Sequence, residues 1–458
     1  MRDYTAPGGY NRILSSLHTL FIGSARAAGV SSDRAGIPRA GGYKRMKKTT
    51  IALAALLSAA VLAGAQETLS LELAVTTALE NNESLARSRI DLEAAERAVG
   101  VSWNGLVPGL SLGAGTSRPN DGVESTYGRA QASLTLSSGL LSAGKQARLA
   151  YETALLAYGT AERDLELSVR KAYYSLGLSR KNITLIEQSI ASAQKSYDQA
   201  EAKRKAGLAP ELDTLSALVT LEQLKPTLQS ARLSYDDALD SFRVLLGMDG
   251  DAGVDIAAVD EADIKAIDVA GITAVSPSVS ALEKQLAEAR ATLSAARSSV
   301  YSPSLSLSAS YQPTYAMEAW SDSGSVTASV SFSLDDLLPW SSARSAAATA
   351  QDAVDKLESQ LASARTSAAM EIGSLARKIE QSRSALESMR LNETLAEKTY
   401  RLTEEAYRFG TKDILSLQSA RDSLARARLD VSEEAYTLRA AVLDLEYALG
   451  VPFGTLGR

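Results

Sequence analysis

The chain is one unit written twice. Residues 197–248 and 400–451 align without a gap at an offset of 203. Tyr197 matches Tyr400, Gly207 matches Gly410, Leu212 matches Leu415, Ala217 matches Ala420, Leu221 matches Leu424, and Gly247 matches Gly450. Upstream, Pro108-Gly-Leu-Ser-Leu matches Pro303-Ser-Leu-Ser-Leu at an offset of 195. Each copy of about 200 residues combines very long helices with a short β-hairpin, and the fold class follows from that combination.

The helices announce themselves by period. Leu165, Val169, Ala172, Leu176, Ser179, Ile183, Ile186, Ile190, Ala193, Tyr197 and Ala200 alternate steps of four and three. That is a heptad seam, which implies left-handed supercoiling. The second copy keeps Ile372, Leu375, Ile379, Ser382, Leu386, Met389, Ala396 and Tyr400 in the same frame, and only Glu393 breaks it. Long helices are therefore expected over 142–206 and 342–409, each about 100 Å long at 1.5 Å per residue. Each ends at a glycine, Gly207 or Gly410, suited to a left-handed cap. Return helices follow over 210–246 and 412–449. Pro210 and Glu211 suit the first turn of one, and Asp413 that of the other. Pro226 should kink the first return helix. Leu69 to Trp103 reads as one further helix, stopped by Pro108.

Between the helices lie hairpins, 108–137 and 303–334. Leu305, Leu307, Ala309 and Tyr311 alternate with Ser304, Ser306, Ser308 and Ser310. Val326, Ala328, Val330, Phe332 and Leu334 alternate with Ser325, Thr327, Ser329, Ser331 and Ser333. Period-two alternation over about ten residues is the pattern of outer-membrane strands. A soluble, half-buried hairpin is the competing reading of the same pattern.

The N-terminus reads as a targeting segment. Met46-Lys-Lys opens a basic stretch, Ile51–Ala63 is apolar, and Ala63-Gly64-Ala65 suits cleavage before Gln66. Residues 46–65 are thus an expected signal peptide, and 1–45 an upstream extension ahead of the natural start. Without residues 1–65 the chain has 39 basic and 52 acidic residues, net −13, which argues against nucleic acid as a partner. The single histidine, His18, lies in the removed part, and there is no cysteine. No phosphate loop, metalloprotease motif or nucleophile elbow occurs, so neither catalysis nor a cofactor is expected. The stretch 247–276 holds Asp249, Asp251, Asp255, Asp260, Asp263 and Asp268. It reads as an acidic equatorial linker rather than a calcium loop, because Gly253 stands where a ligand belongs.

No later segment is apolar enough for a membrane helix. Four membrane strands cannot close a barrel alone, since an edge exposed to lipid leaves backbone groups unpaired. If inserted, the barrel must be shared between chains, and with long helices beneath it the assembly is a conduit.

At this point the residues resemble those of the TolC-like outer-membrane efflux proteins, from about Leu69 to Pro452. The resemblance rests on the repeat, the Pro-x-Leu-x-Leu hairpin entries, and the segments Lys205-Ala-Gly-Leu-Ala-Pro-Glu-Leu-Asp213 and Tyr407-Arg-Phe-Gly-Thr-Lys-Asp-Ile-Leu415. It implies a mainly α chain with a small transmembrane β part. It implies a homotrimer with a twelve-stranded barrel in outer-membrane lipid and a twelve-helix α-barrel in the periplasm. It also implies a periplasmic adaptor of the membrane-fusion type and, through it, an inner-membrane pump of the RND or ABC type. The channel would be a passive duct for efflux or type I secretion. Asp213, Tyr407 and Lys412 match the positions of a periplasmic gate. Gly207, Leu208, Pro210, Gly410 and Thr411 form the tip turns expected to meet the adaptor. An aspartate ring found in some members falls here at Ser416 and Ser419, a departure that argues against a strong cation-binding constriction.

The chain thus divides into first repeat 66–246, linker 247–276, second repeat 277–452 and tail 453–458. A periplasmic adaptor or a structural coiled-coil protein of the envelope is the alternative reading. An adaptor would carry one helical hairpin between β-rich domains, and a filament would lack the strands.

Overall fold

The computed structural model describes residues 68–118, 120, 122, 124–248, 255–256 and 276–456. The expected signal peptide and most of the acidic linker lie outside the described residues.

The elements run β1 (Thr68–Leu69), α1 (Leu71–Asn81), α2 (Glu83–Val101), a 3₁₀ turn (Ser102–Leu106), β2 (Gly109–Ser117), β3 (Ser125–Leu136), α3 (Ser138–Lys205) and α4 (Glu211–Leu246). They continue with β4 (Asp255–Ile256), α5 (Pro277–Tyr301), β5 (Ser304–Ala316), β6 (Ala319–Ser331), a 3₁₀ turn (Leu334–Leu337), α6 (Ser342–Arg408) and α7 (Ile414–Leu449).

Several boundaries differ from expectation for local reasons. The first helix is two. Asn82 leaves helical geometry at φ −65°, ψ 124°, and its backbone N–H closes α1 onto the Ala78 carbonyl. Its side-chain oxygen accepts from the N–H groups of Ser84 (2.9 Å) and Leu85 (3.1 Å), which starts α2. The break makes room for α4. The Asn82 amide donates to the Leu245 carbonyl (2.9 Å). Gly247 caps α4 at φ 68°, and a Cβ there would lie 2.3 Å from the Asn81 carbonyl oxygen. Only glycine satisfies both the left-handed conformation and that approach. The chain resumes helix after β3 at Ser138, four residues earlier than expected, so the hydrogen-bond ladder passes almost directly from sheet to helix. Pro210 stands at the N-cap of α4, just outside it. The helix carries Pro226 in its interior without leaving helical structure. Strand β6 ends at Ser331; Phe332 lies beyond it, and Leu334 opens a 3₁₀ turn.

Helix α3 has 68 residues and α6 has 67, and each passes through two packing layers. Near the sheet the helices lie in the order α2–α3–α5–α6; away from it the order is α4–α3–α7–α6. The cores follow the length of the assembly. Leu286 and Leu293 of α5 pack with Val354 and Leu361 of α6. A middle cluster joins Val75 and Leu85 to Val169 and Leu176 of α3, Phe242 and Leu246 of α4, and Ile256. Ile379 and Leu386 of α6 pack with Val431, Leu438 and Leu445 of α7. Parallel pairing of β1 with β4 ties the start of the described chain to the linker. The seam-breaking Glu393 meets Arg428 of α7 at 3.6 Å. Among the described residues no helix is long and apolar enough to cross a membrane.

Candidate functional site

Two regions carry chemistry that a packed core does not explain. The first is the sheet. Both hairpins join into one antiparallel sheet of order β2-β3-β5-β6. Residues opposite one another across strands share a face, because side chains alternate with period two. The register places Leu110, Ala132, Ala309 and Val326 in one row, and Leu136, Leu305 and Val330 in another. The alternate rows run Ser111, Gln131, Ser310 and Ser325, and Thr135, Ser306 and Ser329. One face is therefore aliphatic and the other hydroxylic. Cross-strand hydroxyl pairs on the second face include Ser304–Ser331 (2.7 Å) and Ser310–Ser325 (2.9 Å).

The aliphatic face has no cover. Leu112 and Val326 are each 88% exposed and Leu110 79%. A half-buried hairpin would bury these side chains, so the protomer does not match the soluble reading. Trp320 (tilted against Tyr315, 5.2 Å between ring centroids) stands at the turn end, and Trp103 and Trp340 lie exposed near the helix end. Aromatics at both ends of an apolar band suit the two interfaces of a membrane.

The second region is the tip, where both long helices reverse. Gly207 (φ 74°) and Gly410 (φ 77°) cap α3 and α6. The N–H of Leu208 bonds the Lys203 carbonyl (2.8 Å) and that of Thr411 bonds the Ala406 carbonyl (2.9 Å). The helices converge on a core of Ala200, Ala217, Tyr407, Ile414 and Leu417, flanked by Tyr197 and Tyr400. Leu208 and Phe409 project outward at the end.

The three expected gate residues are placed differently from one another. Tyr407 is 3% exposed, and its hydroxyl has no hydrogen-bond partner among the described residues. Burial raises its pKa, and the charge of nearby Asp213 raises it further. The Asp213 charge thus reaches the Tyr407 phenol. Lys412 is exposed, and the structure forms no ion pair between it and Asp213 among the described residues. Its charge instead helps hold the Asp413 carboxyl below the usual range, behind the larger effect of hydrogen bonding from Ser416. The cation at Tyr407 is Lys203. Its Nζ lies 3.9 Å from the ring centroid and donates to the Tyr407 carbonyl. Sequence reasoning missed Lys203 because the repeat holds no echo of it: the equivalent positions are Ala406 and Arg204. A lysine in the last helical turn also reads as an ordinary partner of the helix dipole. Nearby, Lys195 pairs with Glu404 (2.6 Å), which raises the lysine's pKa.

The free helices at either side, α4 and α6, carry exposed apolar stripes. On α4 these are Leu212, Leu215, Val219 and Leu233; on α6, Met370, Leu391, Leu395 and Leu402, continued by Phe409 at its C-cap. Both sets keep heptad frame. The α6 stripe was legible as a second seam beside the one that packs on α7.

The family model described as "Outer membrane efflux protein" matches residues 74–248 and 272–451. The chain is 26% identical over 256 residues to the toluene efflux pump outer membrane protein TtgF of Pseudomonas putida, covering 51% of this chain and 52% of that protein. It is 28% identical over 192 residues to the outer membrane protein OprJ of Pseudomonas aeruginosa, covering 38% and 40%. The chain thus spans about half the length of the curated relatives it matches. Its fold is similar to the CmeC outer membrane channel of Campylobacter jejuni, with TM-score 0.72, 17% identity, and 83% and 85% of the two chains covered.

Proposed function

The chain belongs to the outer membrane efflux protein family, and we propose that three copies form the passive exit duct of a tripartite efflux or type I secretion system. The observation that carries this reading is the uncovered aliphatic sheet face, bounded by two strands whose outer edges are unpaired. Both sides of the protomer are unfinished together. Strand β2 is the open edge on the side of the protomer that α2 and α4 occupy in their layers, and β6 is the open edge on the side of α6. One rotation can therefore pair β6 with the next copy's β2 while the α6 stripe meets that copy's free helices. Four strands per chain keep the alternation antiparallel at each junction. A heterologous contact of this kind closes into a ring, and three copies give twelve strands.

In this assembly the aliphatic face meets outer-membrane lipid and the hydroxylic face lines water. The helices continue the duct about 100 Å into the periplasm. The tip turns at Gly207, Leu208, Pro210, Gly410 and Thr411 are the contact for a periplasmic adaptor, through which an inner-membrane pump supplies the energy. Asp213, Tyr407 and Lys412 belong to the tip gate, with Lys412 acting toward the neighbouring copy. The cargo is small molecules or proteins.

The test is assembly. The protein should fractionate with outer membranes and run as a trimer in mild detergent. Val219→Glu with Leu402→Glu should reduce the trimer while the helical circular dichroism persists. A monomer recovered from the soluble periplasm would overturn the reading.

A further inference from the structure

We propose that Arg129 sets the charge preference of the barrel, making it favour anions over cations. This rests on the shared-barrel reading above. Apart from Arg129, the paired rows of the hydroxylic face hold only Gly, Ala, Ser, Thr, Gln and Tyr, from Gly109 to Ser331. Arg129 is the one ionic side chain among those paired rows. Asp322, the other charged strand residue, lies opposite Pro313 on the aliphatic face.

The setting of Arg129 leaves its charge in the lumen. It stands opposite Gly113 in the β2–β3 register. A Cβ built at Gly113 would meet nothing within 4 Å, so the arginine does not fold back over that glycine. The next row differs: Tyr127 lies across Gly115, with its hydroxyl 2.9 Å from a Cβ built there. Arg129 is exposed, and it has no ion-pair partner among the described residues. Three copies would place three guanidinium groups at one level of an otherwise uncharged wall. Rings of Arg or Lys favour anions in pores, as rings of carboxylates favour cations. Neighbouring hydroxyls supply no counter-charge.

Two measurements test the assignment. In planar bilayers under a tenfold KCl gradient, the wild-type trimer should reverse nearer the chloride potential than Arg129→Gln, and Arg129→Glu should reverse nearer the potassium potential. Equal reversal potentials in conducting trimers would overturn the role of Arg129 and leave the duct reading standing. Trimers that never conduct would overturn both. The second measurement is independent of the tip. The chain lacks cysteine, so Gln131→Cys supplies a single thiol two residues from Arg129 on the same face, about 7 Å away. In outer membranes it should react faster with an anionic than with a cationic methanethiosulfonate. A unit charge at that distance changes each rate about threefold in water before screening. Adding Arg129→Glu should invert the ratio; an unchanged ratio would overturn the proposal.

Discussion

Lys203 and Tyr407 join the C-terminal ends of the two longest helices, with the ammonium 3.9 Å from the ring centroid and bonded to the tyrosine's own carbonyl. The contact lies within one protomer, so it couples the tips of α3 and α6 as one body. A partly desolvated cation–π contact contributes about 1–2 kcal/mol. Lys203→Met should loosen the tip and raise single-channel conductance in planar bilayers. Tyr407→Phe should do less, because the hydroxyl it removes has no partner among the described residues. A larger effect from Tyr407→Phe than from Lys203→Met would refute this ordering.

The two faces of the sheet should respond oppositely to charge. Leu112→Arg or Val326→Arg puts a cation on the aliphatic face, at about 2–4 kcal/mol each near the bilayer midplane. Ser329→Arg and Ser308→Arg place the same group on the hydroxylic face, where water is available. Trimer yield in outer-membrane fractions should fall for the first pair and hold for the second. Equal loss in all four would mean that neither face meets lipid.

Much of this was legible because the signals were periodic. The heptads of α3 and α6 and the serine alternation of β5 and β6 repeat over many residues, so single exceptions do not hide them. What escaped was local or long-range. Asn82 breaks a helix through its own side-chain oxygen, a one-residue signal inside an amphipathic run. Phe332 and Leu334 continue the alternation in sequence, yet pairing with β5 stops at Ser331, opposite Ser304. The partnership of Lys203 with Tyr407 depends on how α3 meets α6, a contact no local pattern encodes. The place of Arg129 as the one ionic side chain on the hydroxylic face is settled only once the register sorts all four strands by face.

The tip glycines give a further prediction. Gly207 and Gly410 hold φ values of 74° and 77°, and a Cβ at either meets nothing within 4 Å. Alanine there is strained by backbone conformation alone, roughly 1–2 kcal/mol per site. Gly207→Ala and Gly410→Ala should therefore leave trimers intact and weaken crosslinking to the adaptor, because the turns themselves change shape. Undiminished crosslinking in the double variant would separate these turns from adaptor contact.

Alkaline stability should report on the end of α7. Glu446 is buried there and accepts from the N–H groups of Gly454 (2.9 Å) and Leu456 (2.7 Å), which folds the last described residues against the helix. Arg163 of α3 donates to the carbonyls of Gly450 and Val451, both at 2.7 Å. Tyr447 sits among these groups with its pKa pushed up to about 12, chiefly by burial and then by its hydrogen bond with Asp164. The folded form thus holds the phenolic proton more tightly than the unfolded chain, whose tyrosines titrate near 10. Stability from this group is complete below about pH 10 and is lost as pH rises through 10 toward 12. Melting temperature should fall across that window in the wild type and fall less steeply in Tyr447→Phe, which has no proton to lose. The variant should start lower at pH 8, having surrendered the bond to Asp164. Parallel curves for the two proteins from pH 8 to 12 would show that Tyr447 does not govern the alkaline transition.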